Sequence, residues 1–184
     1  MNLQKIIYSL KDIESPHSIN VAKISEKIAW AMNLYKDEIK KIKIAGFFHD
    51  IGKVFINPQI INKMGKLTYK EWEEMKKHPL IGYEILSSNN GYADIARYVL
   101  QHHERWDGTG YPNKLKADKI LLPARIISVA DAFDAMVSQR CYKEAYSIEK
   151  AIEEINLNAG KQFDPIVVDV FTNMYTNMPH SIST

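Results

Sequence analysis

The sequence predicts an all-α protein, and three observations carry that prediction. Apolar residues recur at helical spacing through most of the 184 residues. Caps and prolines of the kind that open helices precede those runs. The stretches without such a rhythm are few, and no internal repeat, heptad or low-complexity tract appears.

The first predicted helix spans His17 to Leu34, with Ile19, Val21, Ile24, Ile28, Ala31 and Met32 on its apolar side. Asp37 is placed to cap the second, which carries Ile42, Ile44, Ala45, Phe47 and Phe48 up to His49. Gly52 and Pro58 break the pattern, and Asn57 to Lys66 reads as a loop. Thr68-Tyr69-Lys70-Glu71 is a capping-box pattern that opens a short helix with Trp72 and Met75. Pro79 fits the first turn of the next, whose apolar residues are Ile81, Ile85 and Leu86, and Asn89-Asn90-Gly91 ends it. Ile95 to His103 is helical again, and Trp106 to Leu121 is a long loop containing Gly108, Gly110 and Pro112. Pro123 opens a strongly apolar helix through Ile126, Ile127, Val129, Ala130 and Phe133. Ser147 caps another that stops near Gly160, and Asp164-Pro165 caps the last, with Ile166, Val167, Val170 and Phe171 expected inside.

Composition narrows the function classes. A hydrophobic fraction of 46% and a charged fraction of 25% fit one soluble globular domain over 1–184, with its core at about 17–176 and a polar tail at 177–184. The formal charge of +2 is too balanced for binding polymeric nucleic acid, although a local basic patch can still receive a small phosphorylated ligand. Cys141 is the single cysteine, which rules out an intrachain disulfide and fits a reducing, cytoplasmic setting. Neither a signal peptide nor a membrane span is expected.

The chemistry-bearing residues are histidines and aspartates. His17, His49-Asp50, His78, His102-His103 and Asp131 make a set suited to two or more divalent transition metals. Singly, each has a plain structural alternative. His49-Asp50 can be a polar helix end, His17 and His78 can be helix starts, and Asp131 can pair with Arg125 or Arg140. Together they favour the metal reading, because a carboxylate in a segment as apolar as Ile126 to Phe133 needs a strong partner. Asp50, with two oxygens, is placed to bridge two cations. Glu104 and Asp107 are candidate acceptors for the ligand imidazoles.

These motifs resemble the HD-GYP domain, a branch of the HD superfamily of metal-dependent phosphohydrolases. His49-Asp50-Ile51-Gly52-Lys53 is similar to the segment that names the superfamily, and His102-His103-Glu104-Arg105-Trp106-Asp107-Gly108-Thr109-Gly110-Tyr111-Pro112 to its GYP segment. Lys63 to Thr68, Met75 to His78, Pro123 to Ile126, Val129 to Asp131 and Phe163 to Pro165 are similar too, so the likeness runs from about His17 to Phe171.

The resemblance implies a compact bundle of about seven helices around a central metal site holding iron or manganese. It implies His49, Asp50, His78, His102, His103 and Asp131 as metal ligands, with His17 as an upstream ligand. Trinuclear members have a glutamate where this chain has Ile13, with Glu14 one residue displaced, so two metals are expected rather than three. The implied activity is hydrolysis of cyclic di-GMP to pGpG, and in some members on to GMP. Asp50 and Lys53 would be catalytic, and Lys53, Arg140 and Lys143 would contact substrate phosphate or a guanine edge. Cys141 stands where the family usually has proline. The loop 106–121 is expected to form a substrate wall, a signalling-partner surface, or a turn that only orients ligands. Other cyclic dinucleotides or nucleotides, and a metal-bearing binding module with little turnover, stay open on the residues alone.

Overall fold

The computed structural model describes residues 16–139 and 145–176. Among them, seven helices of nine residues or more are α1 (Pro16–Ala31), α2 (Lys36–Phe48), α5 (His78–Ser87), α6 (Ala93–Gln101), α7 (Leu122–Val137), α8 (Ile148–Leu157) and α9 (Pro165–Thr176). Two shorter ones, α3 (Pro58–Ile61) and α4 (Tyr69–Met75), and 3-10 turns at Ile51–Phe55 and Ala117–Lys119 complete the order. No strand occurs among the described residues, only an isolated bridge between Ala159 and Phe163. No described helix is long and apolar enough to cross a membrane.

The helix starts follow local chemistry. Thr68 and Glu71 form both halves of the expected capping box, Ser147 accepts from the Lys150 amide, and the Asp164 carboxylate accepts from the Ile166 amide at 2.8 Å. Asp37 does not cap α2: Tyr35 holds that position, and Asp37 lies in the first turn with Glu38, where negative charge suits the helix dipole. The 57–66 segment is less irregular than its Pro suggests. The Asn57 side chain caps the single turn of α3, with Pro58 inside it. Ile166 is 65% exposed, and Val168 takes the expected core position beside Val167 and Phe171.

Two pairs of packed helices set the site. Helices α1 and α2 cross closely because small residues meet, a Cβ at Gly46 falling 3.1 Å from the Ala22 Cα. Helices α5 and α6 form a second pair, and α7 packs against α1. The core joins Val21, Ile28, Ile42, Leu86, Val99 and Ile126, all fully buried. Short connections make each pair antiparallel, so the start of one helix lies beside the end of the next. The start of α1, the ends of α2 and α6 and the start of α5 thereby converge around the middle of α7.

Candidate metal centre

Every histidine and aspartate of the predicted metal set arrives at that convergence. His17 stands in the first turn of α1, His49 and Asp50 follow α2, His78 opens α5, His102 and His103 follow α6, and Asp131 projects from mid-α7. The imidazoles form one continuous contact chain: ring centroids are 5.2 Å apart for His17–His49, 5.3 Å for His49–His102, 4.0 Å for His102–His103 and 4.9 Å for His78–His103. His49, His78 and His102 are buried.

Asp50 sits at the centre. Its Oδ2 is 3.3 Å from His49 Nε2 and its Oδ1 is 3.3 Å from His78 Nε2. Two groups of side chains therefore have ligand atoms close enough to hold a metal ion, Asp50 with His78, His102 and His103, and Asp50 with His17 and His49. Asp131 Oδ1 closes the second group at 3.2 Å from His17 Nε2 and 3.7 Å from His49 Nε2.

Backbone carbonyls set the imidazole tautomers. Nδ1 of His49, His78 and His102 lies 2.8, 2.8 and 2.6 Å from the carbonyl oxygens of Gly46, Met75 and Val99, each three residues earlier. A carbonyl only accepts, so Nδ1 carries the proton and Nε2 presents its lone pair to the cluster. Carbonyls thus fill the role expected of Glu104 and Asp107. The Glu104 carboxylate instead accepts from the amides of Asn113 and Leu115, at 2.6 and 3.0 Å, while Asp107 accepts from Thr109 and Arg105.

One carboxylate went unseen in the sequence. Asp134 Oδ2 is 2.7 Å from His17 Nδ1, and its Oδ1 accepts from Asn20 at 2.9 Å. Its position three residues after Asp131, on the same face of α7, is the signal that could have found it.

The electrostatics suit cations. Burial lowers His78 to about 3 and His102 well below the usual histidine range, leaving neutral imidazoles. Burial also lowers His17, but the Asp131 and Asp134 carboxylates outweigh it and raise the group to about 9. Burial favours the protonated form of Asp50, yet His49 and Lys53 hold its carboxyl well below the ordinary range. Among buried polar atoms, His49 Nε2 and Asp50 Oδ1 have no hydrogen-bond partner. Such atoms are costly unless paired, and divalent cations, one on the His49 side of Asp50 and one on the His78 side, are the pairing that this donor set fits. The α2 and α6 C-termini, with their partial negative charge, add to that preference.

The site opens into a cavity of about 1050 Å³ whose lining includes Lys53, Lys63, Lys66, Trp72 and Tyr111. Lys53 Nζ donates to Asp50 Oδ2 at 2.5 Å. Arg140, Cys141, Lys143, Ile13 and Glu14 lie outside the described residues. The 106–121 loop braces the site and also walls it. Tyr111 packs over His103 with ring centroids 4.9 Å apart, and its amide donates to the His103 carbonyl. Gly110 is required there, because a Cβ would fall 2.3 Å from the Arg105 nitrogen.

The HD domain family model matches residues 2–167. The cyclic di-GMP phosphodiesterase response regulator RpfG of Xanthomonas campestris is 44% identical over 144 residues, covering 77% of this chain and 38% of that protein. A cyclic di-GMP phosphodiesterase of Thermotoga maritima is 40% identical over 177 residues, covering 95% and 48%. The chain thus spans less than half the length of these curated relatives. Its fold matches the crystal structure of a cyclic GMP-AMP-specific phosphodiesterase of V. cholerae, with a TM-score of 0.70 and 21% identity over 88% of this chain and 44% of that one. With the helical bundle and the motifs that meet in it, these matches make the chain a member of the HD domain family, in its HD-GYP branch.

Proposed function

We propose that this chain is a metal-dependent phosphodiesterase that hydrolyses cyclic di-GMP to pGpG. The observation that carries the reading is Asp50, whose two oxygens face different imidazoles at the floor of a cavity lined with lysines. The names of the relatives support the substrate. His49, His78, His102, His103, His17 and Asp131 complete two cation sites that share Asp50. The mixed imidazole and carboxylate donors suit iron or manganese. When bound, such a pair of cations supplies a hydroxide at neutral pH and a counter-charge for the phosphoryl group.

The chain's own residues do the rest. Asp50 fixes the spacing between the two sites. The carbonyl-bound imidazoles keep every Nε2 aimed inward without reorganisation. Lys53, already at the Asp50 carboxylate, is positioned to turn its ammonium toward a phosphoryl oxygen and offset charge that grows in the transition state. Lys63 and Lys66 line the approach. Arg140 and Lys143 are assigned further substrate contacts from their motif. The exposed Lys114, Lys116 and Lys119 of the braced loop form the surface assigned to a signalling partner in the cytoplasm.

Anaerobically purified protein incubated with cyclic di-GMP tests the assignment. The expected product on chromatography is pGpG, absent from the Asp50→Ala variant. Metal-loaded protein that binds cyclic di-GMP without releasing pGpG would make the domain a receptor instead.

A further inference from the structure

Helix α4 buries none of its residues, yet it is held firmly. Lys63 Nζ donates to both Glu71 carboxylate oxygens, at 2.9 and 2.6 Å, and Glu71 in turn accepts from the Thr68 amide at 2.6 Å. What this fastening presents is Trp72, 45% exposed and with its ring 6.2 Å from that of Tyr111. An aromatic surface left open on the wall of the metal cavity, on a helix that buries none of its residues, suits a ligand platform. Trp72 also stands on a boundary. It lines the metal cavity and a neighbouring cavity of about 740 Å³, and His103 and Tyr111 line both.

We propose that Trp72 is a stacking platform for a nucleobase of the substrate, a residue that sets its affinity for nucleotides over other phosphodiesters. The proposal rests on the phosphodiesterase reading above. A phosphate drawn to the cations of the metal cavity carries its nucleoside against the wall of that cavity, and among the described residues Trp72 and Tyr111 are the aromatic rings, beyond the imidazoles, that line it. Tyr111 has one face against His103, so the open indole is the better surface. Stacking is indifferent to hydrogen-bonding edges, so Trp72 recognises a base without choosing guanine.

The test titrates a hydrolysis-resistant phosphorothioate analogue of cyclic di-GMP into the metal-loaded wild type, Trp72→Ala and Trp72→Phe, following tryptophan fluorescence and calorimetry. Wild-type fluorescence should be quenched. Trp72→Ala should bind about ten-fold more weakly, since a stacked base is worth about 5- to 150-fold in affinity. Trp72→Phe should retain most of the affinity and lose the quenching, because Trp30 and Trp106 are not among the cavity-lining residues. All three proteins should carry the same metal content, which separates stacking from a structural effect through Tyr111 and His103. Quenching that persists in Trp72→Phe, unchanged affinity in Trp72→Ala, or no binding by the wild type would overturn the platform. Analogue binding with the Trp72 signature but no turnover of cyclic di-GMP would support the platform and refute the phosphodiesterase reading alone.

Discussion

Gly52 lies against the first turn of α5 so closely that a Cβ there would fall 2.0 Å from the His78 carbonyl oxygen and 2.7 Å from the Gly82 nitrogen. This contact sets the distance between the segment carrying His49-Asp50 and the helix carrying His78. Both obstructing atoms are backbone, so a side chain at 52 must push α5 away. Gly52→Ala should therefore cost at least the ~1–3 kcal/mol typical of overpacking and lower the metal content as well. Denaturant unfolding and elemental analysis check it; wild-type values for both would remove this contact from the account.

Asp134→Asn keeps the size of the side chain but can turn an amide N–H toward His17. The carboxylate that fixes the His17 ring is lost, and losses of this kind cost about 10- to 100-fold in metal affinity. Weaker binding at one site, with an unchanged circular dichroism spectrum, is the expected result. Competition with a chelating dye measures it.

Protons should compete with the metal through His17. Its folded value of about 9 lies above the ordinary value for histidine of about 6.5. For the metal-free protein, the stabilisation from His17 is thus fully present below pH ~6.5 and lost as pH rises through about 9. Metal needs the neutral imidazole, so uptake near pH 7 should release a proton and tighten as pH rises toward 9. Calorimetry in buffers of different ionisation enthalpy gives the proton count, and His17→Gln should reduce it.

Glu104 is 3% exposed and holds two backbone amides of the 106–121 loop. Glu104→Ala leaves the Asn113 and Leu115 amides without their acceptor, and each hydrogen bond lost is worth about 0.5–1.5 kcal/mol. Faster hydrogen exchange should appear at those amides, and Glu104→Gln, which keeps one acceptor oxygen, should fall between.

Much of this was legible because it is local. The Thr68–Glu71 capping box, the Ser147 and Asp164 caps and the prolines of α5, α7 and α9 depend on neighbours in sequence, and the structure keeps them. The convergence of five histidines and two aspartates was readable as a set, since so many metal-type residues in apolar settings have few other uses. What escaped depends on contacts across the fold. Asp134 gains its role only when α7 meets α1, 117 residues away. Glu104 looked like an imidazole partner in sequence, but the loop folds back onto it. Ile166 is exposed because α9 turns Val167, Val168 and Phe171 inward.

The central claim is that Asp50 joins two cation sites, and metal stoichiometry in ligand variants tests it most directly. Anaerobically purified wild type should carry about two metals per chain, His17→Ala and His78→Ala about one each, and Asp50→Ala less than one, as a shared bridging ligand requires. Full occupancy in Asp50→Ala, or loss of both metals whenever either histidine is removed, would contradict it.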